Sequence, residues 1–253
     1  MSEIKRSVTY AVKRAQAQRN CETHIQKIVF AAAKDIVRTA QRYRRGKNLT
    51  NETALMREAR AITQAAEDKI DAYIAAYAKA ACTTLQIGTE SIDSMLVADI
   101  YGKTMAERTA AYLTDFAEDI VRMIKAGTLM AYSDSQILSA IRTGYKDPYR
   151  TSVITKAQRK DINIATPSYG KGIYQNAYQN IVRNAKQVIA IAWGLAEQEY
   201  GRKNGAIGFN VFRGSSYPCR VCDDQCEYTH TLQDPYPPFH VSCVCRIQFI
   251  YKK

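Results

Sequence analysis

Residues 218–247 read PCRVCDDQCEYTHTLQDPYPPFHVSCVCRI, and these thirty positions hold five of the chain's seven cysteines and two of its three histidines. Cys219 and Cys222 form a CxxC, and after a seventeen-residue spacer His240 and Cys243 form an HxxC, with Cys245 just beyond. Two short chelating pairs joined by a loop long enough to let them converge are what a tetrahedral zinc site of three thiolates and one imidazole requires. Cys226, His230 and Cys245 are further donors, so spacing alone leaves the ligand set open. Metal would also order a loop that carries Pro235, Pro237 and Pro238 and little apolar content, because metal-binding free energy is folding free energy. Three other readings compete: reduced, partly buried thiols; disulfides in an oxidising compartment; and a Cys219–Cys222 redox pair. The last is disfavoured because such a pair starts a helix after a strand, whereas this stretch reads as a loop.

The flanks place that loop in a fold. On both sides the period is two: GFNVFRG (208–214) and CRIQFIY (245–251) are short, aromatic and β-branched, which predicts two strands bracketing the cluster. Before them, Ile173, Ala177, Ile181, Ala185, Val188, Ala192 and Leu195 recur at helical spacing and predict one long helix. Towards the N-terminus the helical period dominates. Val8, Ala11, Ala15, Ile25, Val29, Ala32, Ile36, Ala40 and Tyr43 mark a long basic helix, kinked or frayed near Gln18–Glu22. After GKNLTN a second helix runs from Glu52 to Ile87, with Gly88 to end it, and the two should form an antiparallel hairpin. A third opens at Thr104, with Glu107 completing a capping box, and closes at Gly127; a short one spans 135–143 and stops at Gly144. The expected fold class is mainly α: a helical hairpin or bundle over 1–145, a linker or excursion over 146–172, and a small α+β domain over 173–253 built around the Cys/His cluster.

The 253 residues carry 36 Lys and Arg against 24 Asp and Glu, unevenly spread. Residues 1–47 hold twelve basic and three acidic side chains, 48–147 ten and fourteen, 148–213 ten and three, and 214–253 four of each. Two basic blocks flanking an acidic one suit a polyanion or an acidic protein partner. Arg42, Arg44 and Arg45 in the first block and Lys156, Arg159 and Lys160 in the second are the candidate non-specific DNA contacts. No apolar run is long enough to span a membrane, and MSEIKRSVTYAVKRAQAQRN has charges where a signal peptide needs its apolar stretch. The expected compartment is a reducing cytoplasm.

The order of a long helix, a strand, CRVC, a proline-containing loop and HVSCVCRI resembles the C-terminal part of the phage head morphogenesis family, the minor head proteins typified by protein F of phage Mu. That family's pattern is a CxxC, a loop, a proline, HPxCRC and a closing strand. Cys219, Cys222, Pro238, His240, Cys243 and Cys245 fall on it, while Val241 and Val244 depart from its proline and arginine. The resemblance covers about residues 173–250. It implies a minor capsid protein of the virion, at the capsid interior or portal vertex, with portal, major capsid or scaffold proteins and phage DNA as partners, no membrane, and the host cytoplasm as the place of assembly.

Two other function classes are weighed against it. A zinc-binding nucleic-acid-binding protein should have a basic cluster, and residues 214–253 are neutral. A phage-encoded toxin or enzyme carrying a head-morphogenesis domain would need a catalytic constellation. Glu197 and Glu199 resemble the paired glutamates of ADP-ribosylating toxins, but they lie in a helical period, and no general base with a supporting third group can be named. The chain is therefore read as a non-enzyme.

Overall fold

The computed structural model describes residues 2–100, 102–146 and 177–252. Among these, seven α-helices dominate: α1 Glu3–Ala40, α2 Glu52–Leu85, α3 Glu90–Val97, α4 Met105–Leu129, α5 Asp134–Lys146, α6 Ala177–Lys203 and α7 Arg220–Cys226. The strands are short: β1 Arg44–Arg45, β2 Asn48–Leu49, β3 Ala206–Phe212, β4 Thr229–His230 and β5 Arg246–Tyr251. The fold is thus mainly helical, with a small antiparallel sheet of order β4-β3-β5 near the C-terminus, as the sequence predicts. Residues 147–172 of the expected linker, with Lys156, Arg159 and Lys160, lie outside the described residues.

The chain packs as two compact units, each assembled from separate stretches: Met1–Thr23, Ala72–Met105 and Arg183–Lys253 in the first, His24–Asp71 and Ala106–Val182 in the second. In the second unit, Ile25, Ile36, Leu55, Leu113, Phe116, Ile120 and Ile124 are fully buried. The reversal after α1 is a tiny hairpin, with Arg44 opposite Leu49 and Gly46 at φ +57°. Gly127 does not end α4 as expected. It is a contact position, where a Cβ would come within 2.6 Å of Ile137 Cγ1, so α5 packs directly on the helix backbone. α5 likewise runs through Gly144 to Lys146.

The first unit holds the C-terminal sheet. α1 is unbroken through Gln18–Glu22, because both polar residues are engaged: Gln18 Nε2 donates to the Lys186 carbonyl (2.8 Å), and Glu22 pairs with the Lys186 ammonium (2.6 Å). Trp193 of α6 is buried against Tyr10 of α1, their ring centroids 4.8 Å apart. The Tyr10 hydroxyl donates to the Trp193 carbonyl (2.7 Å) and the Trp193 indole to the Tyr77 carbonyl (3.0 Å). β3 pairs with β5 from Ala206–Tyr251 to Phe212–Arg246, which leaves the far edge of β5 to be covered by something else. α1 covers it. Glu3 Oε1 accepts from the Phe249 amide (2.9 Å), Ser7 Oγ donates to the Ile247 carbonyl, and Arg14 Nη2 donates to the Cys245 carbonyl (2.8 Å).

Candidate metal centre

The loop read from sequence contains structure of its own. Cys219 caps α7, Cys222 sits in its first turn, and the Asp223 amide closes that turn on the Cys219 carbonyl (2.9 Å). CxxC thus starts a helix after strand β3, where a loop was expected, so a redox pair is not disfavoured on that ground; what sets Cys219 and Cys222 apart from such a pair is the His240 imidazole that both sulfurs share. His240 and Cys243 form the opposing turn, with the Cys243 amide on the His240 carbonyl (3.1 Å) and Ser242 at φ +65°. Cys245 stands immediately before β5.

These two turns bring five donors together in two groups that share Cys222: Cys219, Cys222 and His240, and Cys222, Cys243 and Cys245, with the donor atoms in each within 4.8 Å of one another. Each group could hold a metal ion. His240 Nε2 lies 3.3 Å from Cys219 Sγ and 3.0 Å from Cys222 Sγ, and Cys222 Sγ lies 3.8 Å from Cys243 Sγ. A tetrahedral ion with thiolates at about 2.3 Å sets its sulfurs about 3.8 Å apart, so this edge has the length a metal needs. His240 Nδ1 is 2.7 Å from the Val241 carbonyl, which can only accept. The ring therefore carries its proton on Nδ1 and presents the Nε2 lone pair to the sulfurs, the tautomer a ligating histidine requires.

The surroundings fit a closed, structural site. Cys222, Cys243 and Cys245 are buried and belong to the same core cluster as Phe209, Val211, Ile247 and Phe249. All seven cysteines are free thiols. Burial pushes the Cys222 thiol up to about 12, and burial also raises Cys226. The Cys245 thiol donates to Cys243 and lowers it to about 5, at the cost of raising Cys245. A bound cation would favour the thiolate form of several of these sulfurs.

Arg213 organises the approach to the CxxC: its guanidinium donates to the Cys219 carbonyl (3.2 Å) and to Asp223 and the Tyr217 carbonyl. Gly214 is needed beside it, because a Cβ there would lie 1.9 Å from the Val244 carbonyl oxygen. Neither Arg213 nor Arg14 carries a sequence signal for this role; both act through carbonyls remote from them in the chain or in a tight loop.

The remaining candidates are placed elsewhere. Cys226 belongs to neither donor group. His230 is buried in the sheet, stacked on Phe209 at 4.7 Å, with Nε2 on the Gln225 carbonyl (2.8 Å). Arg42 pairs with Glu58, Arg44 pairs with Asp134 and donates to the Tyr132 carbonyl (2.5 Å), and Arg45 is exposed. Glu197 is buried in an ion pair with Arg6 (2.9 Å), while Glu199 pairs with Lys203 (2.7 Å) and accepts from Ser91 (3.1 Å). No helix among the described residues is long and apolar enough to cross a membrane. Neither a family model, nor a curated protein, nor a solved structure matches this chain.

Proposed function

We propose that this chain is a bacteriophage minor head protein associated with the portal, acting in head morphogenesis, DNA packaging or ejection, with zinc as the structural ion of its C-terminal module. The observation that supports the reading is that Cys219, Cys222 and His240 form one close donor group and Cys222, Cys243 and Cys245 a second that shares Cys222, within the motif order helix, strand, CxxC, proline loop, HxxCxC, strand. With Cys222 common to both groups, Cys219, Cys222, His240 and Cys243 would supply four protein donors to one tetrahedral ion and leave no position for a reacting water, which assigns the ion a folding role rather than a catalytic one. Cys245, the fifth donor, sits beside Cys243 and would supply a hydrogen bond or replace a ligand. Glu197, tied to Arg6, serves packing.

Non-specific contact with packaged DNA belongs to the exposed Arg45 and to Lys156, Arg159 and Lys160; Arg42 and Arg44 spend their charge on Glu58 and Asp134. A zinc-type nucleic-acid reader is disfavoured, since residues 214–245 hold four acidic side chains against one basic, Arg220.

The test is assembly. Expressed with the portal, scaffold and major capsid proteins of the same phage, the chain is expected to sediment with procapsids and to be lost from portal-less particles. Its absence from heads, or appreciable hydrolysis of a nucleotide, peptide or NAD substrate, would overturn the reading.

A further inference from the structure

α1 has two working faces in its first four turns. Arg6, Ser7, Tyr10 and Arg14 are buried on the side that closes β5 and α6. On the other side Ile4, Val8 and Val12, at four-residue spacing, are 61 %, 43 % and 60 % exposed. Lys5 and Arg19 are exposed on the same side of the helix, and Lys13 is exposed at its flank. Glu3, the sole acid before Glu22, is already bound to Arg6 and the Phe249 amide.

A second apolar surface lies over the Cys/His cluster of the same compact unit. Tyr217, Val221, Val241 and Val244 are 79 %, 49 %, 38 % and 42 % exposed, and each stands one or two positions from a candidate ligand. Because the donor atoms of the cluster are a few ångströms apart, these four exposed side chains belong to chain segments that meet there. The exposed Asp224 and Glu227 give this cap an acidic edge that outweighs the one exposed cation beside it, Arg220, while Asp223 is already paired with Arg213.

The two surfaces match in kind and are opposite in sign. We propose that copies of this chain associate head to tail, the α1 stripe of one copy seating on the acid-edged cap of the next. Phosphate could take Lys5 and Lys13 but would leave Ile4 and Val12 in water, so the stripe calls for an apolar partner. Stripe against stripe sets lysines against lysines, and cap against cap sets carboxylates together; only the mixed contact is complementary. Such a contact is heterologous and repeats, giving a closed ring or an open filament. The inference is independent of the head-protein reading, which concerns where the chain acts.

Sedimentation analysis of the full chain tests it. The wild-type chain is expected to form concentration-dependent oligomers that dissociate as salt rises. The stripe variant Val8→Glu with Val12→Glu, and the cap variant Asp224→Lys with Glu227→Lys, should each weaken association by about thirtyfold or more, with metal content and circular dichroism unchanged. Mixing the two variants should give a dimer that does not grow, because one retains its cap and the other its stripe. Single substitutions Val12→Glu and Glu227→Lys provide the same comparison if a double variant fails to fold. A monomeric wild type, a cap variant that assembles normally, or a mixture that stays monomeric would overturn the proposal. So would a monomeric chain whose stripe instead binds anionic phosphatidylserine vesicles.

Discussion

Arg6→Met should destabilise the first compact unit strongly above neutral pH and weakly below it. Arg6 is nearly enclosed. Its guanidinium is held by Glu3 (2.7–2.9 Å) and Glu197 (2.9 Å), and lies 5.0 Å from the Phe249 ring centroid and 5.5 Å from that of Tyr200. Burial raises Glu197 from 4.5 to about 7, outweighing the pull of Arg6 and Arg14. A carboxyl whose folded pKa lies above its unfolded value contributes stability that is fully present below about 4.5 and is lost as pH rises through about 7. Without Arg6 the folded pKa of Glu197 climbs further, so the loss continues past neutrality and the gap between variant and wild type widens. Removing one partner of a buried pair costs about 3–5 kcal/mol, the value expected at pH 8. At pH 5, where Glu197 is already protonated in the folded chain, only the aromatic contacts and the Glu3 bridge are lost, about 1–2 kcal/mol. Urea denaturation of both proteins at the two pH values measures this. Equal losses at both would refute the reasoning, as would a loss at pH 8 below about 1 kcal/mol.

Other outcomes follow from the same contacts. Gly201→Ala should cost about 2 kcal/mol or more by overpacking, because a Cβ there would lie 2.2 Å from Phe249 Cε1; an unchanged melting curve would show that the ring moves aside freely. Ser7→Ala, which strips a hydroxyl from the Ile247 carbonyl and from Arg246 (3.1 Å), should cost about 1 kcal/mol and speed amide exchange along β5 before β3. Cys226→Ser should leave metal content unchanged, whereas Cys222→Ser, at the junction of both donor groups, should abolish it; equal effects would misplace the site. In DNA titrations, neutralising Arg45, Lys156, Arg159 and Lys160 together should lower the log–log salt slope, whereas neutralising Arg42 and Arg44 should leave it nearly unchanged.

The helices and the cluster were legible because each leaves a local mark. A three- and four-residue apolar recurrence marks a helix wherever its partner lies, and CxxC with HxxC marks a pair of chelating turns. Glycine misled: Gly127 and Gly144 read as stops, yet both sit inside helices, Gly127 where Ile137 packs too close for a Cβ and Gly144 within ordinary contact distance of Met123. Residues of intrinsically poor helical preference survive there because tertiary contact outweighs propensity. The helix at 220–226 escaped notice because seven residues hold too little of a period to see. Least visible was the destination of the basic side chains. Arg6 and Arg14 read as surface charge, but they hold a strand edge some 230 residues away in the chain, and no spacing rule links a helix face to the carbonyls it will meet.

The central claim is that Cys219, Cys222, His240 and Cys243 enclose an ion that folds the C-terminal module. X-ray absorption at the zinc edge, with total metal analysis on full-length protein purified without chelator, tests it most directly. The account predicts about one zinc per chain in a shell of three sulfurs and one nitrogen. A folded chain that carries no metal, and whose cluster thiols all titrate with a thiol reagent without loss of structure, would contradict it.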